Sequence, residues 1–483
     1  MSRLPADSLT LVNRRSFLGR SSIGLGAAAL SSMLADGSLA APRDDAPVLS
    51  GLPGLPHHAA KAKRVIFLCM AGGPSQLETF DYKPRLEELD GKPMPTSFTD
   101  GQPIAQLQGQ KLKALRPLFK FAKHGKSGQE ISDALPHTAK IADEICIVRS
   151  MHTDQINHDP AHTVMNTGIS ISGYPSMGAW VTYGLGSESA NLPGFVVLSS
   201  EGGRNPQPIS QRQWGSGFLP SRHQGVQFYS QGDPVYYVRN PEGVPSTQQR
   251  KLVDAVKELN RLRNAAVANP EIDTRITQLE LAFRMQTSVP ELMDLADEPQ
   301  SALDMYGVKE NDGSFGANCL LARRLAERGV RFIHLYHRGW DHHGDMVRYM
   351  NTCCGLCDQP SAALVQDLKQ RGMLDDTLVV WGGEFGRTPM FQGKGKTAGR
   401  DHHMRAFSMW MAGGGVKGGV TYGTTDELGY HSVENRVHVR DFHATMLHLL
   451  GIDHQRMTFK HQGLNHRLTG VIEESQILRA ILA

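Results

Sequence analysis

Long apolar runs are missing from this chain. Apart from one short, glycine-rich stretch near the amino terminus, no segment of the 483 residues approaches a membrane span, which needs roughly 20 consecutive apolar residues. A surplus of charge is missing too. A formal net charge of +3 and the lack of any basic run leave no electrostatic footprint for nucleic acid. No internal repeat is present. Cysteine is scarce, with six residues: Cys69, Cys146, Cys319, Cys353, Cys354 and Cys357. Cys354 and Cys357 have the C-x-x-C spacing of redox and zinc motifs, but no second pair completes a zinc site. Buried structural thiols are the reading this supports, with a disulfide as the alternative in an exported protein. Histidine, in contrast, is plentiful, with 21 residues that gather in clusters.

Residues 1–40 read as a leader. Asn13-Arg-Arg-Ser-Phe-Leu-Gly-Arg20 carries adjacent arginines before an apolar pair, Ile23 to Leu34 is short and rich in Gly and Ala, and Ser38-Leu39-Ala40 is a small-x-small cleavage signal. This resembles a twin-arginine export signal. The alternative is a short amphipathic helix. Export by this route places the mature chain outside the cytoplasmic membrane, periplasmic or at the cell surface. Such routes carry folded proteins, often with a cofactor already loaded. Residues 41–63, rich in Pro, Gly, Ala and His, read as a linker.

From residue 64 to 483, strands alternate with helices. Apolar runs predict buried strands at Arg64–Met70, Ile145–Val148, Phe195–Leu198, Val330–Tyr336, Leu378–Gly382 and Phe407–Met411. Helical patterns cover Ser132–Ile141, a segment entered at Pro160, Met177–Leu185, Ser314–Arg328, a long stretch to Arg371, and Asp441–Leu450. This alternation is the signature of an α/β fold with a large, mostly parallel sheet sandwiched between helices. Residues 199–245 form a long loop region with scattered aromatics (Trp214, Phe218, Tyr229, Tyr236, Tyr237), the composition of a lid or specificity surface. Residues 246–300 read as a helical insertion, a hairpin broken near Asn269-Pro270.

Four polar clusters fall at strand-to-loop transitions: His158/Asp159/His162, Asp341/His342/His343, Glu384/Arg387 and Asp401/His402/His403. In a parallel sheet such transitions share one edge, where ligands sit. Imidazole and carboxylate together are the ligands of zinc, iron or manganese, and a guanidinium suits an oxyanion. Each cluster alone could be a helix cap with solvent histidines, or, for Glu384 and Arg387, an ion pair in a turn.

Seven motifs carry a family resemblance: Gly72-Gly-Pro-Ser-Gln-Leu-Glu-Thr-Phe-Asp-Tyr-Lys-Pro84, Asn157-His-Asp-Pro-Ala-His162, Pro175-Ser-Met-Gly-Ala-Trp180, Trp340-Asp-His-His-Gly-Asp345, Gly383-Glu-Phe-Gly-Arg-Thr-Pro389, Gly399-Arg-Asp-His402 and Ala412-Gly-Gly-Gly-Val-Lys-Gly-Gly419. They resemble the exported 1501 family of domains of unknown function, which is placed with the alkaline phosphatase and sulfatase superfamily. The resemblance implies that superfamily's fold and a two-metal edge site hydrolysing phosphate or sulfate esters. It implies metal ligation by Asp341, His343 and His402, with Glu384 in the place of an Asp ligand. Phe385 stands where the superfamily has a histidine, and Ser75 lies near the place of its first-strand Asp. The nucleophile position falls around His158, and His162 is a candidate ligand for a relocated second metal. Arg387 is expected to clamp the substrate anion.

These readings converge on an exported hydrolase of phosphate or sulfate esters. Its expected cofactor is a divalent metal, zinc first, with manganese, iron or calcium as alternatives. Its expected partner is a small anionic ester or glycan, and its oligomeric state is open. The competing reading is a superfamily member that has lost catalysis and binds a glycan or partner at the cell surface.

Overall fold

The computed structural model describes residues 49–483 except 230–232, 236–239, 241–242, 310–311, 394–396 and 472–473, and gives no side chains for 270 and 271. The leader, the first part of the expected linker, and Tyr236 and Tyr237 lie outside the described residues. The segment from Leu49 to Lys63 runs against the domain, with the Leu52 N–H donating to the Gly184 carbonyl at 2.8 Å and the Lys61 N–H to the Leu449 carbonyl at 2.8 Å.

One sheet organises everything else. Its strands are β1 (Arg64–Ala71), β2 (Ile145–His152), β3 (Phe195–Arg204), β4 (Phe332–Trp340), β5 (Thr377–Gly382), β6 (Phe407–Ala412) and β7 (Val420–Tyr422), with two-residue strands at Val226–Gln227 and Val437–His438. The spatial order is β7-β2-β6-β5-β1-β4-β3, then Val226–Gln227, while Val437–His438 pairs with β2. Every pairing is parallel except the two made by β6, which runs against both β2 and β5. The expected architecture, a large mostly parallel sheet between helices, is thus what the chain adopts.

The apolar runs form central strands because both of their faces are covered. All eight residues of β1 are buried. Its side chains alternate between two cores: Ile66, Leu68 and Met70 enter one, and Val65, Phe67, Cys69 and Ala71 the other. The first core is closed by helices Phe315–Glu327 and Met346–Gln370, and the second by Met177–Leu185 and Val439–Leu449. All six cysteines are free and buried. Burial pushes the Cys354 and Cys357 thiols well above their ordinary pKa, so the C-x-x-C pair sits in the core as structural thiols.

The predicted helix at Ser132–Ile141 is not there. The chain instead forms a short ribbon, Phe121–His124 against Gln129–Ser132, followed by a 3₁₀ helix over Thr138–Glu144. Pro136 explains the difference, since it lacks an N–H and drives Leu135 away from the α conformation. Asp358, from a neighbouring helix, accepts from the His137 and Thr138 N–H groups at 2.6 and 2.8 Å.

A buried ion network ties helix Phe315–Glu327 to the segment after the helical hairpin. Arg323 and Arg324 both pair with Glu298, the latter at 2.6 Å, and Arg323 also meets Glu327 at 2.8 Å and Asp367 at 3.1 Å. Removing Glu298 leaves the buried Arg324 without a carboxylate partner and takes one of three from Arg323. Glu298→Ala should lower stability by about 3–5 kcal/mol in denaturant unfolding. A loss below about 1 kcal/mol would show the network to be solvated.

Several buried histidines give a second expectation. Burial holds His223 and His337 down to about 4 and His443 to about 3. Unfolded histidine titrates near 6.5, so below that pH the unfolded chain binds more protons than the folded one. Their contribution is therefore complete above pH ~7 and is lost as pH falls from ~6.5 towards ~4. The melting temperature should be level above neutrality and drop across that window, and a rise on acidification would contradict this account.

Candidate metal centre

The carboxyl edge of the sheet gathers four short segments. β1 ends at the Gly72-Gly73 turn, β4 runs straight into Asp341, β5 is followed by Glu384, and β2 leads to helix α1 (His158–Thr167). The Asp401/His402/His403 cluster comes before its strand. It reaches the same edge because β6 is reversed, so its amino end lies where its neighbours have their carboxyl ends. Gly72 makes the close approach possible. Its φ is +123°, and a Cβ there would lie 2.5 Å from the Asp341 nitrogen.

His158, Asp341, His343 and His402 each offer a ligand atom, and these atoms all lie within 4.8 Å of one another. The focus is Asp341 Oδ1. His343 Nε2 is 2.8 Å from it, His402 Nε2 and His158 Nε2 are each 3.3 Å from it, and Arg387 donates to it at 2.8 Å. His343 Nε2 and His402 Nε2 are themselves 2.9 Å apart. The second oxygen of Asp341 accepts from Gln207 Nε2 at 2.9 Å.

Each imidazole is oriented from behind through Nδ1. That of His402 lies 3.0 Å from the Ile156 carbonyl, that of His343 2.6 Å from Gln392 Oε1, and that of His158 2.6 Å from Glu384 Oε1. A carbonyl or a carboxylate only accepts, so Nδ1 carries the proton and Nε2 presents a lone pair. Burial, with the nearby Arg387 charge, holds His402 down to about 4, so its imidazole is neutral at pH 7. His158 Nε2 is buried without a hydrogen-bond partner. Bare nitrogens facing each other and a carboxylate repel unless a cation sits among them. The donor set therefore fits a divalent metal, and the backing contacts are those that metal-bound histidines make.

The carboxylates are held charged. Burial opposes ionisation of Asp341, but contacts with His158, His343 and His402 and the charge of Arg387 outweigh it, leaving the carboxyl far below its ordinary range. Burial likewise opposes Glu384, yet His162 and His158 hold it down to about 2. In His158 burial lowers the pKa, while the neighbouring Asp341 and Glu384 carboxylates outweigh it and leave the pKa raised.

Several sequence-derived roles change. Glu384, expected as a ligand, stands one layer behind: both its oxygens accept from the Gly72 N–H, at 3.0 and 3.2 Å, and Oε1 holds His158. His162 is fully buried, 3.5 Å from Glu384 Oε1, outside the group of four. His158, expected at the nucleophile position, has Nδ1 engaged by Glu384 and Nε2 directed into the cluster, so neither nitrogen is free to attack. Arg387, expected as an anion clamp, is fully buried. Its guanidinium donates to the carbonyls of Gly72, Gly73 and Arg400 and to Asp341, so it knits the loops together and does not face a substrate. Phe385 lies against His158 and His402, with ring centroids 4.9 and 4.7 Å away, and forms an apolar wall.

Three glutamines were missed. Besides Gln207 and Gln392, Gln106 brings its Nε2 to 3.2 Å from His343 Nε2. Asp401 places it, accepting from the Gln106 and Leu107 N–H groups at 2.7 and 2.9 Å. No spacing in the sequence marks these glutamines, which come from separate loops.

Residues 62–482 match the profile of a family described as protein of unknown function (DUF1501). The chain belongs to that family. No curated protein matches it. Similar solved structures include the lipoteichoic acid synthase LtaP from Listeria monocytogenes, at 11% identity and TM-score 0.35, covering 88% of this chain and 78% of that one. The phosphonate monoester hydrolase SpPMH from Silicibacter pomeroyi is similar at 12% identity and TM-score 0.33, covering 72% of this chain and 71% of that one. The PsFucS1 sulfatase from Pseudoalteromonas sp. shows 14% identity and TM-score 0.33, covering 81% of this chain and 68% of that one. Likeness this loose transfers no chemistry, which must come from the side chains.

If Glu384 orients His158, Glu384→Gln should weaken metal binding about 10–100-fold in chelator competition, whereas Asp341→Asn should abolish it. Unchanged affinity in the Glu384 variant would remove that role.

Proposed function

We propose that this chain is a metal-dependent hydrolase of phosphate or sulfate esters, with a small anionic ester or a sulfated or phosphorylated glycan as substrate. The observation that supports it is the convergence of three imidazole Nε2 atoms on Asp341, each Nδ1 held from behind. His158, Asp341, His343 and His402 would hold the ion. Three nitrogens and one carboxylate favour zinc, then iron or manganese; calcium, which takes 6–8 oxygen ligands, fits least. A bound ion of this kind polarises an ester oxygen and lowers the pKa of a water.

The chain's own residues supply orientation and shielding. Glu384 keeps the proton of His158 on Nδ1, and the Ile156 carbonyl does the same for His402. Arg387 offsets the Asp341 charge and fixes the Gly72-Gly73 turn beside it. Phe385 keeps water from one side. The amide of Gln106, next to His343, is placed to donate to a bound ester. Attack falls to water. The leader read from the sequence puts this chemistry outside the cytoplasmic membrane, and no helix among the described residues is long and apolar enough to cross a membrane.

One observation favours the second reading, a binding protein without catalysis: the guanidinium expected to meet the substrate is buried among carbonyls. Metal analysis with a screen of aryl phosphates and aryl sulfates separates the two. The hydrolase reading expects stoichiometric metal, a melting temperature that falls with chelator, and turnover that His343→Ala reduces at least about 100-fold. Bound metal with no turnover of any ester supports the binding reading. Absence of metal, with no thermal shift on adding zinc or manganese, removes the hydrolase.

A further inference from the structure

The helical insertion encloses a cavity where it meets the rest of the domain. The cavity holds about 350 Å³ and lies between the loop leading into β3, the turn Ser221–His223 and helix Pro270–Met293, the second arm of the hairpin. Two contacts tie that helix to the domain here. Ser288 Oγ donates to the Asn191 carbonyl at 2.9 Å, and Arg222 Nη1 donates to Thr274 Oγ1 at 3.4 Å. β3 and β4 run parallel, with Phe195 beside Phe332, so the cavity sits at the amino edge of the sheet. The nine residues of β4 separate that edge from Asp341, a length of about 30 Å.

The charges around this cavity do not balance. Two arginines, Arg222 and Arg284, line it, and no acidic residue does. Arg284 reaches one carboxylate among the described residues, Glu280 at 3.9 Å, and Arg250 and Lys257 already pair with that carboxylate, the former at 3.2 Å. Arg284 Nε is buried without a hydrogen-bond partner. Arg222 makes no ion pair among the described residues. Its Nε donates to His223 Nε2 at 3.3 Å, and burial keeps that imidazole neutral. A guanidinium drawn partly out of water without a counter-charge is destabilising, and an oxyanion that matches its fork supplies the charge.

The rest of the wall points to the body of the ligand. Thr277, Gln224 and Gln278 add hydroxyl and amide groups, and Leu192 and Leu281 add apolar surface. A volume of this size holds a small molecule and not just a bare ion. A sugar ring carries hydroxyls at its rim and C–H groups on its faces, which suits both kinds of wall. We propose that this cavity is a second anion site, remote from the metal centre, that binds a sugar phosphate or sugar sulfate with its charged group on Arg222 and Arg284. None of its residues belongs to the metal centre, so the site stands whether or not the chain is a hydrolase.

Calorimetric titration of the mature chain with glucose 6-phosphate, glucose 6-sulfate and inorganic phosphate tests it. At least one sugar ester should bind with a dissociation constant below about 1 mM, and about tenfold or more tightly than inorganic phosphate. Which ester does so identifies the anion. Arg222→Gln and Arg284→Gln should each weaken that binding about 10–100-fold. Without ligand the Arg284→Gln variant should melt no lower than the parent, since its guanidinium has no full counter-charge to lose. Binding of neither ester, or of inorganic phosphate as tightly as the esters, would overturn the proposal. So would binding that survives both substitutions, which would put the anion at the metal centre. A lower melting temperature of Arg284→Gln without ligand would make that arginine structural and overturn it too.

Discussion

A single carboxylate oxygen, Asp341 Oδ1, is the point on which the carboxyl edge of this sheet depends. Arg387 donates to it, and three imidazole nitrogens approach it within 3.3 Å. Arg387 alone cannot reconcile those lone pairs with a negative charge at such distances. A divalent cation can, and the contacts behind the imidazoles fit one: a carboxylate, an amide oxygen and a backbone carbonyl each fix one ring. The buried guanidinium fits the same logic. Crowding Asp341 against the Gly72-Gly73 turn leaves carbonyls without partners, and Arg387 satisfies them while holding the aspartate charged.

The reversed strand β6 is the fold's contribution to this chemistry. In a wholly parallel sheet, a motif that precedes its strand would lie on the edge opposite Asp341. Running β6 against β2 and β5 brings His402 to the same side, and the short pairing of His402–His403 with Gly386–Arg387 locks it there. The centre thus joins residues from strands both parallel and antiparallel, and its integrity is tied to sheet order across β2, β6, β5, β1 and β4.

Much of this was legible beforehand, and the failures are instructive. Strands announced themselves because a central strand of a covered sheet needs apolar residues on both faces. Asp341, His343 and His402 stood out because acid and imidazole after or before such a run have few structural uses. Glu384 and Arg387 stood out equally, and their roles came out differently. A carboxylate looks the same in sequence whether it binds an ion or the histidine that binds it. An arginine looks the same whether it faces solvent or is closed in by backbone carbonyls. Gln106, Gln207 and Gln392 left no mark, because a neutral amide in a loop carries no signal until a neighbour needs it. The helix predicted at Ser132–Ile141 failed for a local reason, the proline inside it.

The helix Ser246–Val267 marks the same boundary. The spacing of Leu252, Leu259 and Leu262 is written in the sequence, since spacing is a property of the chain. Their exposure was decided by the neighbouring helix, which pairs through Glu280 with Arg250 and Lys257 on the other side. The sequence by itself determined which segments become strands and helices and which residue types could bind a metal, because periodicity and donor chemistry are local. Only the tertiary structure decided which of those donors meet, which nitrogen each histidine presents, and which charged groups are closed off. Those depend on strand order, on one reversed strand, and on contacts between residues hundreds of positions apart.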